Sequence, residues 1–303
     1  MVRQYKIHTA LGAQNDEVID VTNGKVRFYQ PSNLGFTRTN SIAFTDNIGV
    51  LGNSSTSQPD IQFKLETFGD SLEENYTLLR NFVQTLEKLS YITLEYQTDI
   101  FQVYADLAIS EVTKTEGYGN HGQFSETITF NVITKWYTYE QLTLKTFENS
   151  DVVQGVSKIY GGTSGAYNYI PDTSYKYYGE FNIERLSRWQ LDYEVFSFFA
   201  ELTPRQSKQT AEGDNEFGVK FFDPDGNNYT GYLYNLTDVP TQITINTDVN
   251  NEYHTAVLNG NTINIFPDLN FQAFRTRLFV AGTMELVNLT TAVIHIKRKA
   301  NFI

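Results

Sequence analysis

The chain contains four imidazoles, His8, His121, His254 and His295, and no cysteine. The absence of cysteine removes disulfides, thiolate metal sites and thiolate nucleophiles together. No histidine shares a helix or short hairpin with a second ligand at metal-binding spacing. His295 stands in the alternating run Ile294-His295-Ile296-Lys297 and reads as a strand histidine facing outward. Gly161-Gly162-Thr163-Ser164-Gly165 lacks the lysine and the following helix of a phosphate-cradling loop. Asp223, Asp225 and Asn227 begin like a calcium loop. However, Gly226 comes fourth rather than sixth, and Tyr234 stands where a bidentate glutamate belongs. Asp-Pro-Asp-Gly is turn chemistry in its own right. Glu73 and Glu74 are adjacent acids in the first turn of a helix, where the dipole accounts for them. Lys297-Arg298-Lys299 is too short for nucleic-acid binding and reads as a solvated strand end or an inter-subunit contact. A triad from distant Ser, His and Asp residues stays open, with no Gly-x-Ser-x-Gly elbow to point to it. No catalytic or cofactor-binding residue is assigned, and the ligands of any metal are unknown.

The composition is equally restrictive. The 303 residues carry 23 Lys and Arg against 35 Asp and Glu, a net charge of -12 that argues against binding a phosphate backbone. Aromatic residues make up 15% of the chain, which supplies core material and argues against disorder. At roughly 150 residues per domain, the length suggests two domains. The first residues, MVRQYKIHTALG, lack the apolar run of a signal peptide, and no stretch approaches a membrane span. A soluble cytoplasmic product is therefore expected, with its five Asn-x-Ser/Thr triplets unglycosylated.

The elements that would carry these residues are mostly strands. Val18 to Val21 and Lys25 to Tyr29 flank Thr22-Asn23-Gly24, a strong local hairpin signal. Asp60 to Thr67 places Ile61, Phe63 and Leu65 on one face; Tyr91 to Tyr96, Ile100 to Leu107 and Ser125 to Ile133 repeat the pattern. One helix is expected, of about five turns. It opens with the capping box Ser71-Leu72-Glu73-Glu74 and carries Leu72, Tyr76, Leu79, Phe82, Val83, Leu86 and Leu89 as its apolar stripe. A boundary falls after Lys135 to Tyr139. From about 147 to 188 the chain is rich in Tyr and Gly, and too poor in aliphatic residues to build a core. That suits an extended, contact-making arm; the alternative is a long, partly packed loop. Short strands resume at Val195 to Leu202, Phe217 to Phe222 and Tyr229 to Tyr234. They continue at Gln242 to Asn246, His254 to Asn264, Arg277 to Val280 and Ala292 to Lys297, the spacing of a sandwich or jelly roll.

The stretches MVRQYKIHT, DVTNGKVRFYQPSNLG, FKLETFGDSLEENY, TLEYQTDIFQVYADLA, VTKTEGYG, ITKWYTYE, SKIYGGT, RLSRW, INTDVN and IKRKANF lie in order along nearly the whole chain. In them the chain resembles the distal tail (Dit) proteins of lactococcal siphophages of the Skunavirus type. The resemblance implies a mainly β fold. Residues 1–140 would form an N-terminal split-barrel belt domain with one helix, and 141–303 a C-terminal galectin-like β-sandwich with an arm over about 147–188. The last strand, 292–303, could pack on the N-terminal domain.

The resemblance also implies a structural, non-enzymatic hub: a hexameric ring at the virion tail tip that joins the tail tube to the tail-associated tip protein. Its arms would grip trimeric receptor-binding proteins for host adsorption, and DNA would pass through the ring without sequence-specific contact or any membrane contact. The arm's candidate anchors are Tyr160, Tyr167, Tyr169, Tyr175, Tyr177 and Tyr178. A structural calcium ion at an assembly interface belongs to the same picture. The alternative is a carbohydrate-binding β-sandwich. Against it, neither the His-x-Asn-x-Arg nor the Trp-x-x-Glu-x-Arg motif of galectins occurs.

Overall fold

The computed structural model describes residues 3–13, 15–114, 124–146, 152–154, 167–169, 177–179, 195–205, 216–222, 229–274 and 283–300. The chain forms two compact units, Met1–Thr138 with Ala300–Ile303, and Tyr139–Lys299.

The first unit contains β1 (Gln4–His8), β2 (Val18–Asp20), β3 (Val26–Ser32), β4 (Thr37–Thr45), β5 (Ile48–Ser57), β6 (Ile61–Thr67), α1 (Leu72–Glu87), β7 (Ile92–Gln97), β8 (Gln102–Thr113) and β9 (Ser125–Val132). Seven of these strands make one antiparallel sheet in the order β3-β6-β9-β8-β7-β1-β2. The sheet curls. Tyr5 on β1 meets Phe63 on β6 at 5.2 Å between ring centroids, although three strands separate them along the sheet. At its two ends a backbone bond from Phe28 N–H to the Val21 carbonyl (2.7 Å) joins the chain after β2 to β3. A sheet whose ends meet at one hydrogen bond instead of a ladder is a barrel with a seam. Inside, Tyr5, Phe28, Ile61, Phe63, Leu65, Leu94, Tyr96 and Phe130 are buried. Burying one such side chain contributes roughly 1.5–3 kcal/mol.

The seam explains why Asn23-Gly24 does not close a hairpin. Asp20 Oδ1 accepts from the N–H groups of Thr22 (2.8 Å) and Asn23 (2.9 Å), and Gly24 N–H reaches the Asp20 carbonyl. The chain therefore reverses here as expected. The two flanking strands then take other partners, β1 for β2 and β6 for β3.

Helix α1 starts where the cap predicts. Ser71 Oγ accepts from Glu74 N–H (3.1 Å), and the Glu74 carboxylate accepts from Asp70 N–H (2.7 Å), one residue earlier than a reciprocal box requires. Its 16 residues make about four and a half turns rather than five. The buried stripe is also narrower than expected: Leu79, Phe82 and Leu86 are buried, whereas Leu72 and Tyr76 are exposed. Asn75 is buried among them because its amide exchanges two hydrogen bonds with the backbone of Gly69. Phe82 meets Phe28 edge-on, so the helix packs onto the barrel core.

The second unit carries most of β10 (Tyr137–Thr146) and all of β11 (Val152–Gln154), β12 (Tyr167–Tyr169), β13 (Tyr177–Gly179), β14 (Val195–Pro204), β15 (Glu216–Phe222), β16 (Tyr229–Asn235), β17 (Gln242–Asn246), β18 (Tyr253–Leu258), β19 (Asn261–Asn264), β20 (Thr283–Val287) and β21 (Leu289–Lys299). Strands β19-β18-β17-β14-β21-β10 form one layer and β16-β15-β20 the other. Phe198, Ala200 and Leu202 from β14, Ile294 and Ile296 from β21, and Phe217, Val219, Tyr232 and Tyr234 from the smaller sheet fill the space between them. This is a β-sandwich, and the chain as a whole is mainly β. The run expected from His254 to Asn264 is split by a tight turn with left-handed Asn259 (φ 51°) and Gly260 (φ 80°). Residues 277–280, the strand expected there, lie outside the described residues.

The basic end of β21 differs from its expected solvated form. Burial alternates along the strand, and Arg298 falls on the same face as Ile294 and Ile296. It is 1% exposed and pairs with Glu140. Burial draws its guanidinium down to about 10. Lys297 points the other way and binds Asp248 at 2.6 Å. One residue further on, Ala300 N–H donates to the Trp136 carbonyl (2.7 Å) within the first unit.

Candidate assembly surfaces

Every residue from Gly35 to Ser57 is exposed. This segment is the two-stranded ribbon β4–β5, turned at Asp46-Asn47, with Asp46 left-handed at φ 50°. Its register pairs Ile42 with Leu51 and Phe44 with Gly49, which puts Ile42, Phe44 and Leu51 on one face. Ala43 pairs with Val50 and Thr45 with Ile48, which puts Ile48 and Val50 on the other. Phe44 is 75% exposed and Ile48 71%. Both faces near the tip are thus apolar and uncovered, and Arg38 and Asp46 are the ribbon's sole charges. A lone two-stranded ribbon is marginal in water, and contiguous apolar exposure on a strand pair marks a place for another surface.

The base of the ribbon is held firmly. Gln58 Nε2 donates to the carbonyls of Asn33 (3.1 Å), Leu34 (3.3 Å) and Gly35 (2.7 Å). Asn33 Nδ2 donates to the Asp60 carbonyl, and the Trp136 indole N–H donates to that of Leu34. The sequence reading missed this surface. Its signal is the run Ser41 to Leu51, with apolar residues on both sides of an Asp-Asn pair that favours a turn.

Four of the six tyrosines expected as arm anchors fall on two ladders. Tyr177 and Tyr178 belong to β13, which extends β10 through Leu144↔Gly179 and Thr146↔Tyr177. Tyr167 and Tyr169 belong to β12, which pairs with β11 through Val152↔Tyr169. Tyr160 and Tyr175 lie outside the described residues.

Among the histidines, His295 turns away from the core as expected and lies between Tyr139 (stacked, 5.3 Å) and Phe199. Burial pushes its imidazole below the usual histidine range. His254 is buried, with Nδ1 2.8 Å from the Tyr234 hydroxyl. Burial lowers its pKa against the pull of Glu252. An imidazole enclosed in this way has no face to offer a sugar. His8 lies between Asp16 and Glu95. His121 and the Asp223–Asn228 turn lie outside the described residues. Among the described residues no three His, Asp or Glu side chains converge as a metal cage would require, and no helix is long and apolar enough to cross a membrane.

Residues 4–133 match the family described as "Distal tail protein, N-terminal domain", and residues 135–303 match "Dit, C-terminal domain". The chain belongs to the distal tail protein (Dit) family. It is 55% identical to the distal tail protein of Lactococcus phage SK1 over 304 residues, covering all of both chains, and equally so to that of Lactococcus phage p2. A chain in the solved phage p2 baseplate, in its activated conformation with Ca, superposes with a TM-score of 0.77 at 55% identity and complete coverage of both chains. The chain is thus a structural protein of the phage virion, sited in the tail baseplate, and not an enzyme.

Proposed function

We propose that six copies of this chain close into a ring at the distal end of the tail, each ribbon β4–β5 packing on the next copy. The observation that carries this is the complete exposure of Gly35 to Ser57 with apolar residues on both faces. A cyclic ring needs one patch of a subunit to meet a different patch of its neighbour, and a projecting ribbon is suited to such a heterologous contact. In this reading the ring joins the tail tube protein to the tail tip protein. The segment around Tyr160, Tyr167, Tyr169, Tyr175, Tyr177 and Tyr178 takes hold of receptor-binding protein trimers, with tyrosine supplying rigid contact area. A calcium ion at an assembly interface also fits this reading.

The test is light scattering on the full-length chain and on a variant with Phe44→Ser, Ile48→Ser and Val50→Ser together. The native protein should run near six times its 34.7 kDa, and the variant as a folded monomer. A ring that persists in the variant would remove the ribbon from the closure. A native chain that stays monomeric even with the tail tube protein present would remove the ring.

A further inference from the structure

His8 is 8% exposed, yet both its ring nitrogens face carboxylates: Nδ1 is 2.6 Å from Asp16 Oδ2, and Nε2 is 2.8 Å from Glu95 Oε2. Ionised carboxylates only accept hydrogen bonds, and a neutral imidazole has one N–H to give. The geometry therefore fits the imidazolium, which donates from both nitrogens. The other oxygen of Glu95 takes Lys6 Nζ at 3.0 Å. With His8 charged, this group of two anions and two cations is neutral; with His8 neutral, it carries an unmatched negative charge with little solvent to spread it.

Further polar and titratable groups stand around this cluster. Tyr104 on β8 meets the His8 ring edge-on at 6.0 Å. Burial and the field of Glu95 push its hydroxyl up to about 12, so it stays neutral across the physiological range. Thr93, opposite His8 in register, gives its hydroxyl to Asp106 (2.7 Å). Asp20 faces Lys6 across β1–β2, and Glu17 is exposed on the loop.

What the bonds hold is the loop between β1 and β2. Thr9 and Glu17 are bonded to each other and close the base of the loop beside the β1–β2 ladder; beyond that base, Asp16 Oδ1 accepts from Ala10 N–H (2.9 Å), so Asp16 is what joins the described part of the loop to His8. We propose that His8 is a pH-operated clip: its cation fastens the Thr9–Glu17 loop to the barrel, and losing the proton lets the loop go. The neutral ring would keep its hydrogen on Nε2, toward Glu95, which is the more buried acid and the worse one to abandon. The bond to Asp16 is then the one lost. The loop leads into β2, whose following residue Val21 makes the barrel's seam bond, so release also loosens the seam.

The direction of titration agrees. Burial opposes the charge on His8, but the bonds to Glu95 and Asp16 outweigh it and raise the imidazole above its usual value. Burial likewise opposes ionised Glu95, and its bonds to His8 and Lys6 outweigh that and lower it. A raised histidine contributes stability in full below its unfolded value and loses it as pH climbs through the raised one. A lowered glutamate contributes above its unfolded value and loses it as pH falls through the lowered one. The clip is closed between those two limits.

The experiment is hydrogen exchange on the full-length chain from roughly pH 6 to pH 9, spanning the ordinary histidine value and above, alongside an NMR titration of the His8 ring. After normalisation for base-catalysed exchange, protection of the Ala10, Ala13 and Asp16 amides, each hydrogen-bonded within the loop, should fall by about tenfold or more in step with His8 deprotonation. The β6 amides should stay unchanged. In Asp16→Asn the loop should be weakly protected at every pH, with no step. His8→Gln should also abolish the step; Asp16→Asn, altered on the loop side alone, decides the matter if His8→Gln does not fold. A His8 that titrates at or below its usual value, or loop protection that stays flat through its titration, overturns the clip.

Discussion

The ribbon β4–β5 and the barrel pair β3–β6 are both antiparallel, and both place apolar side chains by the same two-residue alternation. In β6 the apolar phase is Ile61, Phe63 and Leu65, all fully buried, and the intervening residues face outward. In the ribbon both phases are apolar near the tip and neither is covered. The difference lies in what each pair stabilises. Burial in β6 holds the chain's own fold, whereas the ribbon's apolar surface stays exposed along its whole length. Its anchors at Gln58, Asn33 and Trp136 keep it presented meanwhile.

Three variants test this contrast. Phe63→Ala should cost about 3–5 kcal/mol, read as a lower urea midpoint, because Phe63 is fully buried and meets both Tyr5 and Phe28. Gln58→Ala should cost about 1 kcal/mol, expressed as faster hydrogen exchange in the ribbon with barrel protection retained. The triple serine variant of the tip should leave the monomer's unfolding free energy within about 0.5 kcal/mol of native while abolishing assembly. A large loss of monomer stability in that variant would mean the ribbon packs within its own chain, and the contrast would fail.

How much of this was legible in the sequence depends on the range of each signal. The start of α1 could be read from Ser71 and Glu74 because a cap is settled within four residues. The face of β6 could be read because alternation is local too. Pairing is not local: Asn23-Gly24 reported that the chain reverses, but not that β2 and β3 would take β1 and β6. Arg298 was misread from its charge, although the phase of Ile294 and Ile296 assigns it to the buried face and Glu140 makes that placement tolerable. The ribbon escaped notice because its apolar residues sit among Ser, Thr, Asn and Gly and follow no single face. The bonds to His8 depend on Asp16 and Glu95 converging from 8 and 87 residues away.

The bond from Ala300 N–H to the Trp136 carbonyl has an architectural consequence. The chain leaves the first unit after Thr138 and is back in it at Ala300, and that hydrogen bond ties the exit to the return. Topologically, everything between is a cassette set into a single gap of the barrel's chain. A cassette whose two ends meet at one point can be lengthened, exchanged or deleted with two cuts, and no strand of the barrel has to be re-paired. The second unit is thus free to diversify in sequence and length while the pairing of the first stays the same.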